Sequence, residues 1–424
     1  MVTPGSEAGP DHAMSGEARA ALSLLSAGAV RARAHRMLEL GLADALPHFR
    51  VAPDRLAAAV ALVLASIRRA YPGGDIPFHA RWRHFVVAGV DRWGTVADAA
   101  AWSDRRQRAR AEFDLAIISV LLDAGAGPHW RYQDPRSGIE VGRSEGLALA
   151  SLDMFAAGVF SSRPDQPLRV DADALARLSV DELRRGFQVI DDNPLVGLEG
   201  RVALLRRLGK VLTARAEVFA ADGAVRPGGL FDRLLARADR GTIAAPAILS
   251  EVLLQVGPIW PSRITLGGIA LGDCWRHPAL TTSDLTSQLM PLHKLSQWLT
   301  YSLIEPLQRA GLEVGDIDGL TGLAEYRNGG LFVDTGVLAL RDDADASRDH
   351  PVGSPLVVEW RALTVALLDR LADELRRALG VDAAALPLAK VLEGGTWAAG
   401  RAIAFERRRD GSPPIRVTSD GTVF

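Results

Sequence analysis

Apolar residues recur at helical spacing along most of this chain, and glycine or proline punctuates each run. A 3.6-residue period laid into a strand would turn half of its apolar set to solvent, so this pattern constrains the fold more than any other feature. Residues 17–46 place Leu24, Leu25, Val30, Met37, Leu38 and Leu40 on one helical face, with Gly41 expected as the stop. Pro53 and Asp54 open a second helix that runs to about Ala70 and ends at Tyr71-Pro72-Gly73-Gly74. Further helices are expected over residues 112–124, 171–183, 199–219, 246–256, 292–310 and 354–379, with Pro194 in the first turn of the one that follows it. Residues 130–141 read as a short hairpin, and another helix begins at Arg143 with Ser144 or a neighbour as its cap. No repeat or linker interrupts the series. The expectation is a mainly α protein with a few short strands: a disordered tail over residues 1–16, then one mostly helical catalytic domain over 17–424.

Composition excludes several function classes. Lys and Arg total 49 against 51 Asp and Glu, a formal charge of −2. The arginine-rich runs at 105–110 and 407–409 are flanked by acids and read as solvated faces. A partner bound through phosphate neutralisation needs a basic face, so no nucleic acid is expected. Cys274 is the only cysteine, which rules out an intrachain disulfide and fits a reducing compartment. The longest apolar run, residues 56–67, is too short to span a bilayer. The first 16 residues lack a basic start and an apolar stretch, so a cytoplasmic protein with no membrane partner is expected.

The chemistry concentrates in residues 320–334, L-T-G-L-A-E-Y-R-N-G-G-L-F-V-D. Glu325, Tyr326, Arg327 and Asn328 stand side by side between apolar anchors, in a chain with two asparagines and four tyrosines. The bland alternative is a solvated helix end with a glycine stop. Asn328-Gly329-Gly330 is expected as a turn. Lysine occurs only at 210, 294 and 390, so Lys294 suggests a need for a compact ammonium where arginine is the habit. Residues 76–94 bring Trp82, His84, Asp91, Arg92 and Trp93 into one short span, a composition suited to lining a pocket. The sequence has no H-E-x-x-H, paired C-x-x-C or phosphate-loop pattern, so no metal and no cofactor is expected. What remains is carboxylate chemistry. Lys294 and Glu325 lie on successive elements and can meet across a turn, either as a structural pair or as a positioned carboxylate that steadies an oxocarbenium-like transition state.

Several segments resemble the uracil-catabolism protein family of fungi and bacteria, which acts in a pyrimidine-degrading route that releases urea. They are R-W-R-H-F (81–85), F-D-L-A-I-I-S-V-L-L-D-A-G-A-G-P (113–128), R-S-E-G-L-A-L-A-S-L (143–152), N-P-L-V-G-L-E-G-R (193–201), the H-K-L-S-Q helix from 293, the 320–334 stretch, V-V-E-W-R-A (357–362), E-G-G-T-W-A-A-G-R (393–401) and the terminal S-D-G-T-V-F. H-K-L-S-Q, L-T-G-L-A-E-Y-R and E-W-R-A also resemble, in order and spacing, motifs of the queuosine-salvage glycosidases, proteins similar to helix-hairpin-helix DNA glycosylases. That resemblance implies a ribose N-glycosidic bond as the target, Glu325 as the catalytic carboxylate and Lys294 as its support. Glu stands where that family has Asp, which shifts the carboxylate by one methylene. The combined expectation is an N-ribosyl hydrolase that frees urea from ribosylurea or its 5′-phosphate. Glu359 and Asp91 are candidate general acids. Tyr326, Arg327, Asn328, Trp82, His84, Arg92, Trp93, Arg143, Trp298 and Arg361 are candidate substrate contacts. A ureido amidohydrolase or phosphoribosyl-handling enzyme of the same pathway, or a non-catalytic scaffold, are the alternatives. The partner expected is a small ribosyl compound; oligomeric state is not legible.

Overall fold

The structure, a computed structural model, describes residues 14–123, 125–260 and 262–418. It is mainly α, and among the described residues every β-ladder has only two strands. Two helices form the interior. Pro355–Leu379 is buried along most of its length and packs against Ala27–Leu42, Leu56–Ala70 and Tyr326–Asp334. Arg105–Leu121 is buried from Ala111 through Leu121 and packs against Arg143–Ala156, Gly229–Arg237 and Lys294–Arg309. A helix segment buried on all sides has to be wrapped by others, and these two are. The Lys294–Arg309 helix packs against Arg105–Leu121, and its N-terminus is tied to Pro355–Leu379 through Asp273, which bonds both the Lys294 N–H and Arg361.

Side-chain caps explain where the helices break. Residues 17–46 form two helices, because Ser26 accepts from the Ala29 N–H and starts Ala27–Leu42 anew. Residues 171–183 likewise split, where Ser179 and Glu182 form a reciprocal capping box at the start of Val180–Gly186. Gly41 is not a stop: it lies inside Ala27–Leu42, and a Cβ there would meet Val51 at 2.6 Å. Pro194 lies ahead of its helix, which begins at Leu198 after left-handed Gly197. The 130–141 hairpin forms as Arg131–Gln133 paired antiparallel with Glu140–Gly142. The Arg143 helix starts on Gly142 with no side-chain cap, so Ser144 does not cap it. Ser15 caps a helix that begins at Gly16; the rest of the expected tail, like the terminal 419–424 motif, falls outside the described residues. No helix among the described residues is long and apolar enough to cross a membrane.

Candidate active site

Three segments far apart in sequence are locked together by side chains. Gln297 donates to the Thr321 hydroxyl at 2.6 Å and accepts from the Thr321 N–H, while Tyr301 donates to the Thr321 carbonyl at 2.9 Å. From the long helix, Arg361 donates to the Ala324 carbonyl and makes two 2.8 Å bonds to Asp273. Asp273 also accepts from the Lys294 N–H at 3.0 Å. Burial works to raise the Asp273 carboxyl, but Arg361 and the Lys294 N–H prevail and hold it at about 2. The start of the Lys294–Arg309 helix and the approach to Glu325 are thereby fixed to one buried ion pair.

Glu325 is the N-cap of Tyr326–Asp334, so the polar cluster is a helix start, not an end. Its carboxylate accepts from the Asn328 N–H at 2.6 Å and the Arg327 N–H at 2.8 Å. Those bonds fix the position of both oxygens and leave each a second lone pair. Asn328-Gly329-Gly330 is helix as well. A Cβ on Gly329 would meet the Trp360 ring at 2.8 Å, so glycine here permits close helix packing where a turn was expected.

Lys294 is close enough to Glu325, Arg361, Asp123 and Asp273 to feel all four. Burial pushes its ammonium below the ordinary lysine value, and Glu325 is the largest opposing influence. It keeps some accessible surface while being surrounded by protein, which is the situation of a group on the floor of a cleft. Opposite lies Arg81, fully buried, which ion-pairs with Asp123 at 3.3 Å, donates to Ser119 at 2.7 Å and lies 5.5 Å from the Trp298 ring. Ser144 donates to the other Asp123 oxygen at 3.1 Å. His84 sits edge-on to Trp298; burial first, then Arg81, pushes it down to about 3, so it is a neutral imidazole. Glu393 bonds His79 at 2.8 Å from a π-helical turn, Leu392–Thr396, that enters the Trp397–Arg407 helix; such turns concentrate at functional sites. Among the described residues, Trp298 Nε1, Arg81 Nη2 and Asn328 Oδ1 are buried without a hydrogen-bond partner. An unmet buried polar atom costs about 1–3 kcal/mol, and a bound molecule can meet it.

A rim of cations borders the cleft. Arg327 stacks on Tyr326 at 5.0 Å and on Trp397 at 4.8 Å, and Arg401 stacks on the same Trp397 at 5.7 Å. Arg143, exposed and left-handed at φ 55°, acts electrostatically on both Tyr326 and Arg401. A separate small pocket of about 20 Å³ lies against Asp273 and His293, walled by Leu25, Leu253, Trp260 and Leu271. It is largely apolar, and its one carboxylate is already bound by Arg361, so the chemistry is assigned to the Lys294 side.

The structure thus brings Glu325, Lys294, Tyr326, Arg327, Asn328, His84, Trp298, Arg143 and Arg361 into one neighbourhood. It puts the others elsewhere. Trp82 and Trp93 turn into an aromatic stack with Phe85 and Phe155; their indoles donate to the Ser302 carbonyl and to Glu112. Arg92 is tied to Asp134 in the hairpin, and Asp91 is an exposed N-cap. Glu359 is fully buried against His277 and accepts from the His48 and Phe49 N–H groups, so it holds a chain crossing and cannot serve as a general acid in the cleft. Reading the sequence missed Arg81, Asp123, Glu145 and Arg401. All four stand inside the segments quoted above: Arg81 and Glu145 are one and two positions from Trp82 and Arg143, while Asp123 and Arg401 are far from any chosen residue. Among the described residues, no group of three or more His, Cys, Asp or Glu is placed to hold a metal ion.

Residues 23–424 match the model of a family described as a protein of unknown function, DUF1688. The chain is 39% identical over 411 residues to Protein urg3 of Schizosaccharomyces pombe, covering 95% of this chain and 98% of that protein. It is 38% identical over 410 residues to Uracil catabolism protein 4 of Lachancea kluyveri, covering 89% of this chain and 92% of that one.

Proposed function

The chain belongs to the DUF1688 family, a uracil-catabolism family, and from that premise we propose that it is an N-ribosyl hydrolase that releases urea from a ribosylurea-type substrate. One observation carries the reading: a largely buried ammonium, Lys294, lies within electrostatic reach of a carboxylate, Glu325, that two backbone N–H groups hold in place. In the proposed reaction the C1′–N bond breaks with its electron pair leaving on the urea nitrogen. Urea is a poor leaving group as an anion, so it needs a proton in that step. Lys294 supplies it, since burial has weakened the ammonium's hold on its proton. Glu325 stabilises the positive charge that grows at C1′, orients water toward that carbon and takes the proton the water loses. The products are urea and the free sugar. Asp123 and Arg81 form the opposite wall, and the unmet polar atoms of Trp298 and Arg81 are donors available to the urea carbonyl.

The test is urea and ribose release from synthetic ribosylurea and its 5′-phosphate by the purified chain. Both products should appear in equal amounts. Glu325→Gln, which keeps size but loses charge, should lower kcat by ~10²-fold or more. Urea without free sugar, or unchanged turnover in Glu325→Gln, would sink the reading.

A further inference from the structure

We propose that Arg143, Arg327 and Arg401 form the seat of a phosphate monoester, so that the substrate of this cleft is a 5′-phosphorylated riboside. The proposal rests on the N-ribosyl reading for the rest of the ligand, but the seat stands on its own geometry. Many arginines that lie among other elements in this chain bind a carboxylate directly, as Arg31, Arg83, Arg110, Arg226, Arg361 and Arg408 do. The three rim arginines do not. Among the described residues no carboxylate stands within ion-pair distance of any of them, although Glu145 is near enough to Arg401 to be felt. They come from three separate elements: the start of the Arg143 helix, the start of the Tyr326 helix, and the Trp397–Arg407 helix.

Bringing like charges together is unfavourable, and this fold does so repeatedly. Burial lowers the proton affinity of Arg401, and Arg327 and Arg143 lower it further. Trp397 holds Arg327 and Arg401 against one ring, which uses cation–π attraction to fix two guanidiniums that would otherwise separate. Arg143 adopts a left-handed backbone that a side chain rarely takes, a strain of order 1–3 kcal/mol typical of ligand clamps. Its helix starts without a side-chain cap, leaving first-turn N–H groups and the positive helix end at the same place. Tyr326, which accepts from Arg327, keeps its proton because burial raises its ionisation above the ordinary tyrosine value, and so adds a hydroxyl donor. Three forked donors and a dipole suit a dianion with three terminal oxygens better than a single carboxylate. The seat is covalently continuous with the catalytic carboxylate, since Tyr326 and Arg327 follow Glu325 directly. A ribose with its 5′-phosphate on the rim therefore presents C1′ toward Glu325 and Lys294.

Calorimetric titration of the full chain tests this with ribose 5-phosphate, ribose and inorganic phosphate. Ribose 5-phosphate should bind ~100-fold more tightly than ribose, with inorganic phosphate between them. Arg401→Met and Arg143→Gly should each weaken ribose 5-phosphate by ~10-fold or more and leave ribose unchanged. Glycine accepts the backbone of position 143, so Arg143→Gly should melt no lower than the parent. Arg68→Met, an exposed residue in the last turn of Leu56–Ala70, should change nothing. Equal kcat/KM for ribosylurea and its 5′-phosphate, or equal affinity for ribose and ribose 5-phosphate, overturns the seat while leaving the hydrolase reading intact. Arginine-dependent binding of ribose 5-phosphate without cleavage of either riboside supports the seat and removes the hydrolase reading.

Discussion

At the scale of single residues, Lys294 decides more than any other side chain. Its depressed proton affinity means that the folded protein releases this proton at lower pH than the unfolded chain does. Between those two values the unfolded state binds more protons, so this group makes folding stability rise with pH. Lys294→Met removes a desolvated charge without orphaning Glu325, which keeps its two backbone N–H bonds. The variant should therefore melt at or above the parent temperature and lose kcat by ~10²-fold or more, the separation of stability from activity expected of a functional charge. The wild-type kcat/KM should fall on the alkaline side as Lys294 loses its proton, at a pH below the ordinary lysine value of 10.5. His84 stays neutral at every pH above about 3, so it contributes no limb to that profile. A variant that melts well below the parent, or an alkaline limb at the ordinary value, would show that Lys294 is a structural partner only.

At the scale of elements, glycine carries two opposite meanings, and the sequence does not mark which applies. Gly74, Gly197 and Gly380 sit at positive φ beside helix ends, and the first is where the sequence reading ended its helix. Gly41, Gly329 and Gly400 lie inside helices instead, where a neighbour's atoms occupy the space of a Cβ. Those neighbours, Val51, Trp360 and Arg327, come from other elements, so the contact is invisible to local pattern. The long helices were legible because their apolar period is a local property; the splits at Ser26 and Ser179 were not, since a serine cap looks like any surface serine until its N–H partner is placed. Gly400 carries the sharpest consequence. A Cβ there would lie 2.2 Å from the Arg327 carbonyl oxygen, backbone that cannot rotate away. Gly400→Ala should push the Trp397–Arg407 and Tyr326–Asp334 helices apart, costing ~1–3 kcal/mol in denaturant unfolding and weakening ribose 5-phosphate as the rim opens. Gly200, near the start of Leu198–Ala214 with nothing within 4 Å of its Cβ position, is the control; Gly200→Ala should hold or raise stability by ~0.5–1 kcal/mol. Equal effects at the two sites would remove the packing argument.

At the scale of the whole molecule, the cleft draws on residues from Arg81 to Arg401, and only its short motifs could be read in advance. Glu325 and Lys294 stand in runs whose composition is unusual; Asp123 and Asp273 are single charges in apolar or glycine-rich segments, and their importance, like that of Arg81, comes from partners tens of residues away. Asp273 shows this best. It joins the 263–273 segment, the start of the Lys294–Arg309 helix and, through Arg361, both the long central helix and the approach to Glu325. Removing one member of a buried ion pair costs ~3–5 kcal/mol because the other is left uncompensated. Asp273→Asn should lose about that much in denaturant unfolding at pH 7. Its pH dependence follows from the same pair. The folded carboxyl is held at about 2, below its unfolded value, so its contribution is fully present above ~4 and disappears as pH falls toward 2. The stability gap between wild type and Asp273→Asn should therefore shrink from pH 5 downward, even as both proteins weaken through their other carboxylates. Because Lys294 and Glu325 are both positioned by this pair, turnover at pH 7 should fall along with stability. A gap that stays constant between pH 7 and pH 3, with turnover unchanged, would show that the segments carrying Lys294 and Glu325 are held by packing alone.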